Sequence, residues 1–385
     1  QDTGGRAGVR IAVVLERVVG ERRVAGTPDS VADLVADGHE VVVEAGAGLS
    51  AGMPDALYEQ AGAVLAADRP TALGAGGLIL GIEGPSEAED QAGLGPDHVV
   101  VGLFDPVWRP EPMAQLAATG ATAFSLDLVP RSTRAQAMDV LSSQATVVGY
   151  QAILVAAQRL PRLMPMLTTA AGTVPAARVV VLGAGVAGLQ SIAMARRLGA
   201  MVEGFDIRPE ALEEIRSMGA RSIAVAEGAD PLDPDVQAAA LTPRLAEADV
   251  VVTAAQIPGR ASPTLITETM IDAMRPGSLV MDLSIQRGGN CTLTRADEEV
   301  DHRGVTILGP TDLASGSPVT ASRMFAANMV NLVRHLIVDD ALVTDPDDEI
   351  ASSMLVTTGG TVVHPDVRRA LEDTDGSEAK KGTGP

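Results

Sequence analysis

The chain has 385 residues, of which 46% are hydrophobic and 21% charged; this is a globular composition at about the length of two α/β domains. A formal net charge of −21 argues against a nucleic-acid surface, which needs clustered basic groups. The single cysteine, Cys291, excludes an internal disulfide and suits a reducing cytoplasm, and with five scattered histidines it offers no metal-ligand spacing, so no metal is expected.

The opening residues QDTGGRAG lack the apolar core of a signal peptide, and residues 1–8 are expected to be a frayed tail. No apolar run reaches the roughly 18 residues a membrane helix needs without a charge or a Gly/Pro break, so no direct membrane insertion is expected. RIAVVLE (10–16) reads as a strand, and Thr27-Pro28 supplies the N-cap and first position of a helix to about Ala36. HEVVVEAG (39–46), GGLILGIEG and HVVVGLF supply further strands. Arg134 to about Leu160 is a long helical pattern, with Leu141, Ala145 and Val148 on one apolar stripe.

Strands follow at 178–182, 200–205, 249–253, 278–283 and 304–308, and 322–338 reads as a helix returning to the first domain. A weak strand at SMLVTT precedes a tail without expected structure. The expected fold is α/β: two doubly wound, Rossmann-like domains with parallel sheets joined by the long helix. Residues 9–145 plus 325–375 form a discontinuous N-terminal domain, 146–324 the nucleotide-binding domain, and 376–385 a tail. The only lysines are Lys380 and Lys381, so no lysine within the expected fold can form a Schiff base.

The strongest motif lies at 178–208. A β run enters Gly183-Ala184-Gly185-Val186-Ala187-Gly188 and leaves into a helix, and Asp206 closes the next strand 18 residues after Gly188. Gly183 permits the tight turn, Gly185 lets backbone approach a pyrophosphate, and Gly188 lets the helix pack close to the sheet. The anion is expected on the N–H groups at the helix start, including Val186 and Ala187. Asp206 can accept from ribose hydroxyls and repel a 2′-phosphate, which favours NAD as the cofactor, whereas Arg208, beside Ile207, could greet that phosphate. Farther upstream, Gln136, Asp139 and Ser142 recur at i, i+3 and i+6, with Arg131 just before them. This set reads either as a functional polar face or as a Thr133/Gln136 capping box beside a solvated surface.

GAGVAGLQSIAMARRLGAMVEGFDIRPE, followed by SMGA, resembles the NAD(H)-binding alpha-1 component of the proton-translocating nicotinamide nucleotide transhydrogenases, in the alanine dehydrogenase/transhydrogenase superfamily. ERRVAGTP (21–28), RSTRAQAMDVLSSQATVVGYQA (131–152), 257–284, GGNC (288–291) and GVTILGPTDL (304–313) follow in family order. The resemblance implies that Arg131, Gln136, Asp139 and Ser142 hold the nicotinamide and its ribose, and that Gln237, Ala255 and Gln256 make further nucleotide contacts. It also implies hydride transfer from NADH to NADP+ on a partner domain, with positioning rather than acid–base chemistry supplied here. A homodimer is implied, working with membrane-spanning and NADP(H)-binding components, in the cytoplasm and peripheral at the inner face of the cell membrane.

Alanine dehydrogenase, the sister branch, is disfavoured. Its substrate-binding lysine corresponds to Gly81, its histidine near Leu103-Phe104 is absent, and its aspartate corresponds to Gln286; Arg23, matching the substrate-carboxylate arginine, survives. Within the transhydrogenase pattern three departures stand out: a short loop from Gly219 to Gln237 without an aromatic residue, Gln286 in place of an acid, and Ala314-Ser315-Gly316 in place of Pro-Ser-Arg. Two other readings follow from these departures. One is a soluble NAD-dependent dehydrogenase or reductase acting on a small amino, imino or specialised-metabolite substrate near Arg23, Arg131 and Asp139. The other is a non-catalytic NAD-binding protein.

Overall fold

Runs such as RIAV, HVVVG, RVVVL and VVVT are almost wholly apolar, the pattern of parallel strands buried on both faces. The computed structural model describes residues 8–84, 91–257, 259–339, 341–342 and 347–381. In chain order the elements begin with β1 (Arg10–Val13), α1 (Pro28–Ala36), β2 (Glu40–Glu44), α2 (Asp55–Gln60) and β3 (Val64–Ala66). Next come α3 (Arg69–Leu73), β4 (Gly77–Leu80), β5 (His98–Gly102), α4 (Glu111–Ala118), β6 (Thr122–Ser125) and α5 (Val140–Arg159). A hairpin, β7 (Leu167–Thr169) and β8 (Gly172–Val174), precedes β9 (Arg178–Leu182), α6 (Val186–Arg197), β10 (Met201–Phe205) and α7 (Pro209–Ser217). There follow β11 (Arg221–Ile223), α8 (Pro234–Leu245), β12 (Val250–Thr253), α9 (Glu268–Asp272), β13 (Leu279–Asp282), β14 (Glu299–His302) and β15 (Val305–Leu308). The chain closes with α10 (Pro318–Leu336), β16 (Ile337–Val338), β17 (Ala341–Leu342), α11 (Glu349–Met354), β18 (Leu355–Thr358), β19 (Thr361–Val362) and α12 (Pro365–Lys381).

These elements form two units, Gln1–Gln144 with Ser317–Pro385, and Ala145–Gly316. The first boundary falls inside α5; the second lies at the start of α10, earlier than the expected break at 324/325 because that helix begins at Pro318. The first unit holds an eight-stranded sheet in the order β19-β18-β6-β5-β4-β1-β2-β3. Alternate residues serve opposite faces: Ile11 and Val13 join the core under Phe325 and Met329 of α10, while Ala12 and Val14 join Met113 and Leu116 of α4. Thr27 caps α1 with Pro28 at its first position, as expected, and Ser30 closes the capping box.

The second unit holds a seven-stranded sheet, β11-β10-β9-β12-β13-β15-β14. Its first six strands have the doubly wound order, in which the chain turns back between β9 and β12. Val179 and Val181 pack on one face with Ile192 and Ala195 of α6; Val180 and Leu182 pack on the other with Leu241 and Leu245 of α8.

Several expectations need correction. The sheets are not purely parallel: β18 and β19 add antiparallel to the first sheet, and β14 pairs antiparallel at the edge of the second. The long helix starts at Val140 rather than Arg134, because Gln136–Met138 form a 3₁₀ turn and Asp139 leaves helical geometry at ψ 85. Its buried positions are Val147, Ala152, Ile153 and Ala156, whereas Leu141, expected in the apolar stripe, is 45% exposed. Among the described residues this helix does have the length and apolar character to cross a membrane, but those four side chains are buried in protein. Residues 376–381, expected as tail, continue α12, and 1–7 and 382–385 lie outside the described residues. Short or polar strands were not expected at all: β3 and β11 span three residues each, and β14 is EVDH.

Candidate functional site: a glycine turn at the sheet's switch point

In the second unit, β9 ends at the point where the strand order reverses, the position at which open α/β sheets bind ligands. Gly183 turns the chain with φ +96, a conformation that only glycine adopts freely, and a Cβ there would lie 2.8 Å from the Ala255 nitrogen. Gly188 is held still more tightly, since its Cβ would meet the Gly183 carbonyl oxygen at 1.8 Å. Gly185 is different. A Cβ there meets nothing within 4 Å, and Gly185 is the N-cap of α6 without a side-chain cap bond. The turn therefore leaves open space against the uncapped start of a 12-residue helix, where a phosphate anion fits. Val186 and Ala187 occupy its first two positions.

Asp206 follows β10 and lies beside this turn. Its Oδ2 accepts the Ala184 N–H at 2.8 Å, and its Oδ1 accepts the Arg208 N–H at 3.0 Å. The Arg208 side chain donates to both oxygens, from Nε at 3.0 Å and Nη2 at 3.1 Å. Burial disfavours the ionised carboxyl, but the Arg208 and Ala184 hydrogen bonds outweigh it and hold Asp206 below the usual carboxylate range. The Asp206 side chain is only 8% exposed, whereas Arg208 is half exposed. Arg208 is thus a partner of the acid as well as a group at the rim, and Ile207 between them is exposed.

Ala255 completes the other wall of the turn, against Gly183. Gln256 is exposed and donates to the Leu283 carbonyl at 3.3 Å. Gln237 stands on α8, and its amide donates to the Pro231 carbonyl at 2.6 Å, within its own short loop. The loop itself folds on local bonds, Ala229 N–H to Ala226 and Asp233 N–H to Asp230. Gln286, which stands in place of an acid, donates to the Thr311 carbonyl at 2.9 Å.

A buried polar network behind Ala255 was not singled out from the sequence. Asp282 accepts from Thr253 Oγ1 and the Ser284 N–H, both at 3.0 Å, and from the Asn290 and Cys291 N–H groups at 2.8 and 3.0 Å. All four oxygen-facing partners sit in the core, and Asp282, Thr253, Ser284 and Asn290 are each 0% exposed. The signal was an acid closing the apolar run LVMD just before GGN, a buried carboxylate that demands donors.

The first unit carries the other expected set. Gln136, Asp139 and Ser142 do not share a helical face, as the sequence suggested: Gln136 is in the 3₁₀ turn, Asp139 precedes α5, and Ser142 is in its first turn. Asp139 is the cap, accepting the Ser142 N–H at 2.9 Å and the Ser142 hydroxyl at 2.6 Å, so the expected Thr133/Gln136 capping box is replaced by this pair. Arg131 and Gln136 are exposed. Arg23 is engaged: Nε and Nη2 grip both oxygens of Glu21 at 2.8 and 2.6 Å, and Nη1 donates to Gln144 at 2.9 Å. Near it, Glu16 accepts the Ile82 N–H at 2.6 Å. Loss of water around this carboxyl, with Glu21 and Glu83 nearby, outweighs its amide bonds and raises its pKa to about 7. Among the described residues, no group of three His, Cys, Asp or Glu is placed to hold a metal ion.

Comparison with known proteins agrees with this geometry. Family models for the alanine dehydrogenase/PNT N-terminal and C-terminal domains match residues 12–148 and 152–365. The chain is 39% identical over 377 residues to an NAD(P) transhydrogenase subunit alpha chain of Rhodospirillum rubrum, covering 93% of this chain and 98% of that one. The solved transhydrogenase of Sinorhizobium meliloti superposes with a TM-score of 0.86 at 44% identity, covering 92% of this chain and 100% of that one. Alanine dehydrogenase of Bacillus subtilis is a more distant relative, 30% identical over 73% of this chain and 70% of its own length. With both of its domains matched in order, the chain belongs to the alanine dehydrogenase/PNT family.

Proposed function

We propose that this chain is the NAD(H)-binding peripheral component of a proton-translocating NAD(P) transhydrogenase, passing hydride from NADH to NADP+ held on a partner component. The observation that carries this reading is the near full-length similarity to the Rhodospirillum rubrum NAD(P) transhydrogenase alpha chain, together with an open, uncapped glycine turn beside an acid in the matching position. Gly183, Gly185, Val186, Ala187 and Gly188 receive the pyrophosphate. Asp206, Ile207 and Arg208 serve the adenosine ribose, with Gln237, Ala255 and Gln256 as further nucleotide contacts. Arg131, Gln136, Asp139 and Ser142 position the nicotinamide and its ribose. The nicotinamide supplies the hydride; the protein's role is to orient it and exclude water, without an acid or base of its own.

The alanine dehydrogenase reading finds no support in the first unit. Arg23, the residue that would take a substrate carboxylate, already holds the Glu21 carboxylate on two nitrogens and Gln144 on the third. Two further features belong to the proposal. The partners are a membrane-spanning component and an NADP(H)-binding component, with the chain cytoplasmic and peripheral at the inner face of the membrane. The chain also pairs with a second copy; in support, the β7–β8 hairpin is exposed along its whole length and, with the neighbouring segment, leaves Met166, Leu167 and Val174 at 66%, 44% and 40% exposure. Titration of the purified chain with NADH, followed by incubation with pyruvate and ammonia, tests the assignment. Saturable binding without NADH oxidation is expected, and turnover to alanine would overturn it.

A further inference from the structure

The backbone wall against Gly183 is itself held by one side chain. Asn290 Oδ1 accepts the Ala255 N–H at 3.1 Å, and its Nδ2 donates to the Ala255 carbonyl at 2.9 Å and the Pro263 carbonyl at 2.7 Å. Both polar groups of one peptide residue are thus gripped by one amide, as a neighbouring strand would grip them, at a place where no strand continues. The amide is anchored from behind. Asn290 N–H donates to Asp282 at 2.8 Å, and the Asn290 carbonyl accepts from the Leu265 and Ile266 N–H groups at 2.8 and 2.9 Å. Ser284 adds a weaker hold on the same Ala255 carbonyl, its hydroxyl donating at 3.2 Å. On the far side, Ala254 N–H donates to the Leu182 carbonyl at 2.8 Å. Ala255 is therefore pinned between β9 and Asn290, with its nitrogen where a Gly183 Cβ would clash.

We propose that Asn290 is a positioning residue of the nucleotide site: by clasping both backbone groups of Ala255 it sets the wall of the glycine turn and so the seat of the NADH pyrophosphate. This rests on the reading that NAD(H) binds at Gly183–Gly188. Asn290 is fully buried, so it acts through Ala255 and does not touch the nucleotide. Only an amide carries an acceptor and two donors on one planar group. A carboxylate could accept from Ala255 but would lose both donated bonds, and alanine would leave the Ala255 and Pro263 carbonyls without them.

The test compares NADH dissociation constants of the purified chain and its Asn290→Ala, Ser284→Ala and Gly185→Val variants by cofactor fluorescence, well below each melting temperature. The Cβ of Gly185→Val points into open space, so this variant folds and obstructs only the anion. The expected result is roughly tenfold weaker NADH binding for Asn290→Ala, a few-fold for Ser284→Ala, and near loss for Gly185→Val. A purely structural Asn290 would lower the melting temperature while the folded protein bound NADH unchanged, and that outcome overturns the proposal. If Asn290→Ala fails to fold, Ser284→Ala decides, and unchanged affinity there counts against it. Unchanged affinity in Gly185→Val would instead overturn the site reading, and the positioning role with it.

Discussion

Asp206 and Arg208 show how a motif residue acquires its properties from its neighbours. A free aspartate at the end of β10 would repel a 2′-phosphate by charge alone, but here both carboxylate oxygens receive Arg208. The pair still presents oxygens to ribose hydroxyls, and the same bonds fix the carboxylate's rotamer. Asp206→Ala removes these acceptors and frees Arg208 to receive a phosphate. We expect NADH to bind roughly ten- to a hundredfold more weakly, with the preference against NADPH lost; titration with both nucleotides measures this, and an unchanged preference would refute the role. Glu16 gives a second residue-scale prediction. Its folded pKa of about 7 lies above the ordinary 4.5, so between those values the native state holds a proton the unfolded chain has released. Stability therefore falls as pH rises through that window, by at most about 3 kcal/mol. Glu16→Gln keeps an acceptor for the Ile82 N–H and removes the charge. It should melt higher than the parent at pH 8 and no higher at pH 4; equal melting at both values would show that Glu16 ionises normally.

At the scale of elements, the β9–α6–β10 unit was legible because its spacing is dictated by backbone collisions: Gly188 cannot carry a Cβ against the Gly183 carbonyl. Gly188→Ala should accordingly destabilise the protein by about 3 kcal/mol, read by urea unfolding, in contrast to Gly185→Val. The start of α5 was less legible. Asp139, Ser142 and Gln136 have the residue types of both a cap and a binding face, and spacing alone could not say that Asp139 bends the chain out of helical geometry. That cap predicts a cost of about 1 kcal/mol for Asp139→Ala. Leu141 failed as a core position for the same reason, since moving the helix start changes the context of its first turn. The hairpin carries the element-scale test of self-association: replacing Met166 and Leu167 by serine should shift the sedimenting species from dimer to monomer, whereas an unchanged species would place the contact elsewhere.

For the whole molecule, alternation of apolar strands and helices was enough to anticipate two α/β units, and the order of motifs anticipated the family. Short strands such as β3 and β11 and the antiparallel edges were invisible, because three residues show no period and edge strands need no apolar run. The Asp282–Asn290 network was invisible for a different reason: its partners at 253, 255, 282, 284 and 290 meet only once β12 and β13 lie side by side. The fold thus makes a wall for one nucleotide, while hydride needs an acceptor that this chain does not supply. The most direct measurement mixes the purified chain with the isolated NADP(H)-binding component of a transhydrogenase and follows reduction of NADP+ by an NADH analogue. We predict transfer that requires both proteins and is lost in Gly185→Val; NADH binding without any transfer to NADP+ would contradict the account.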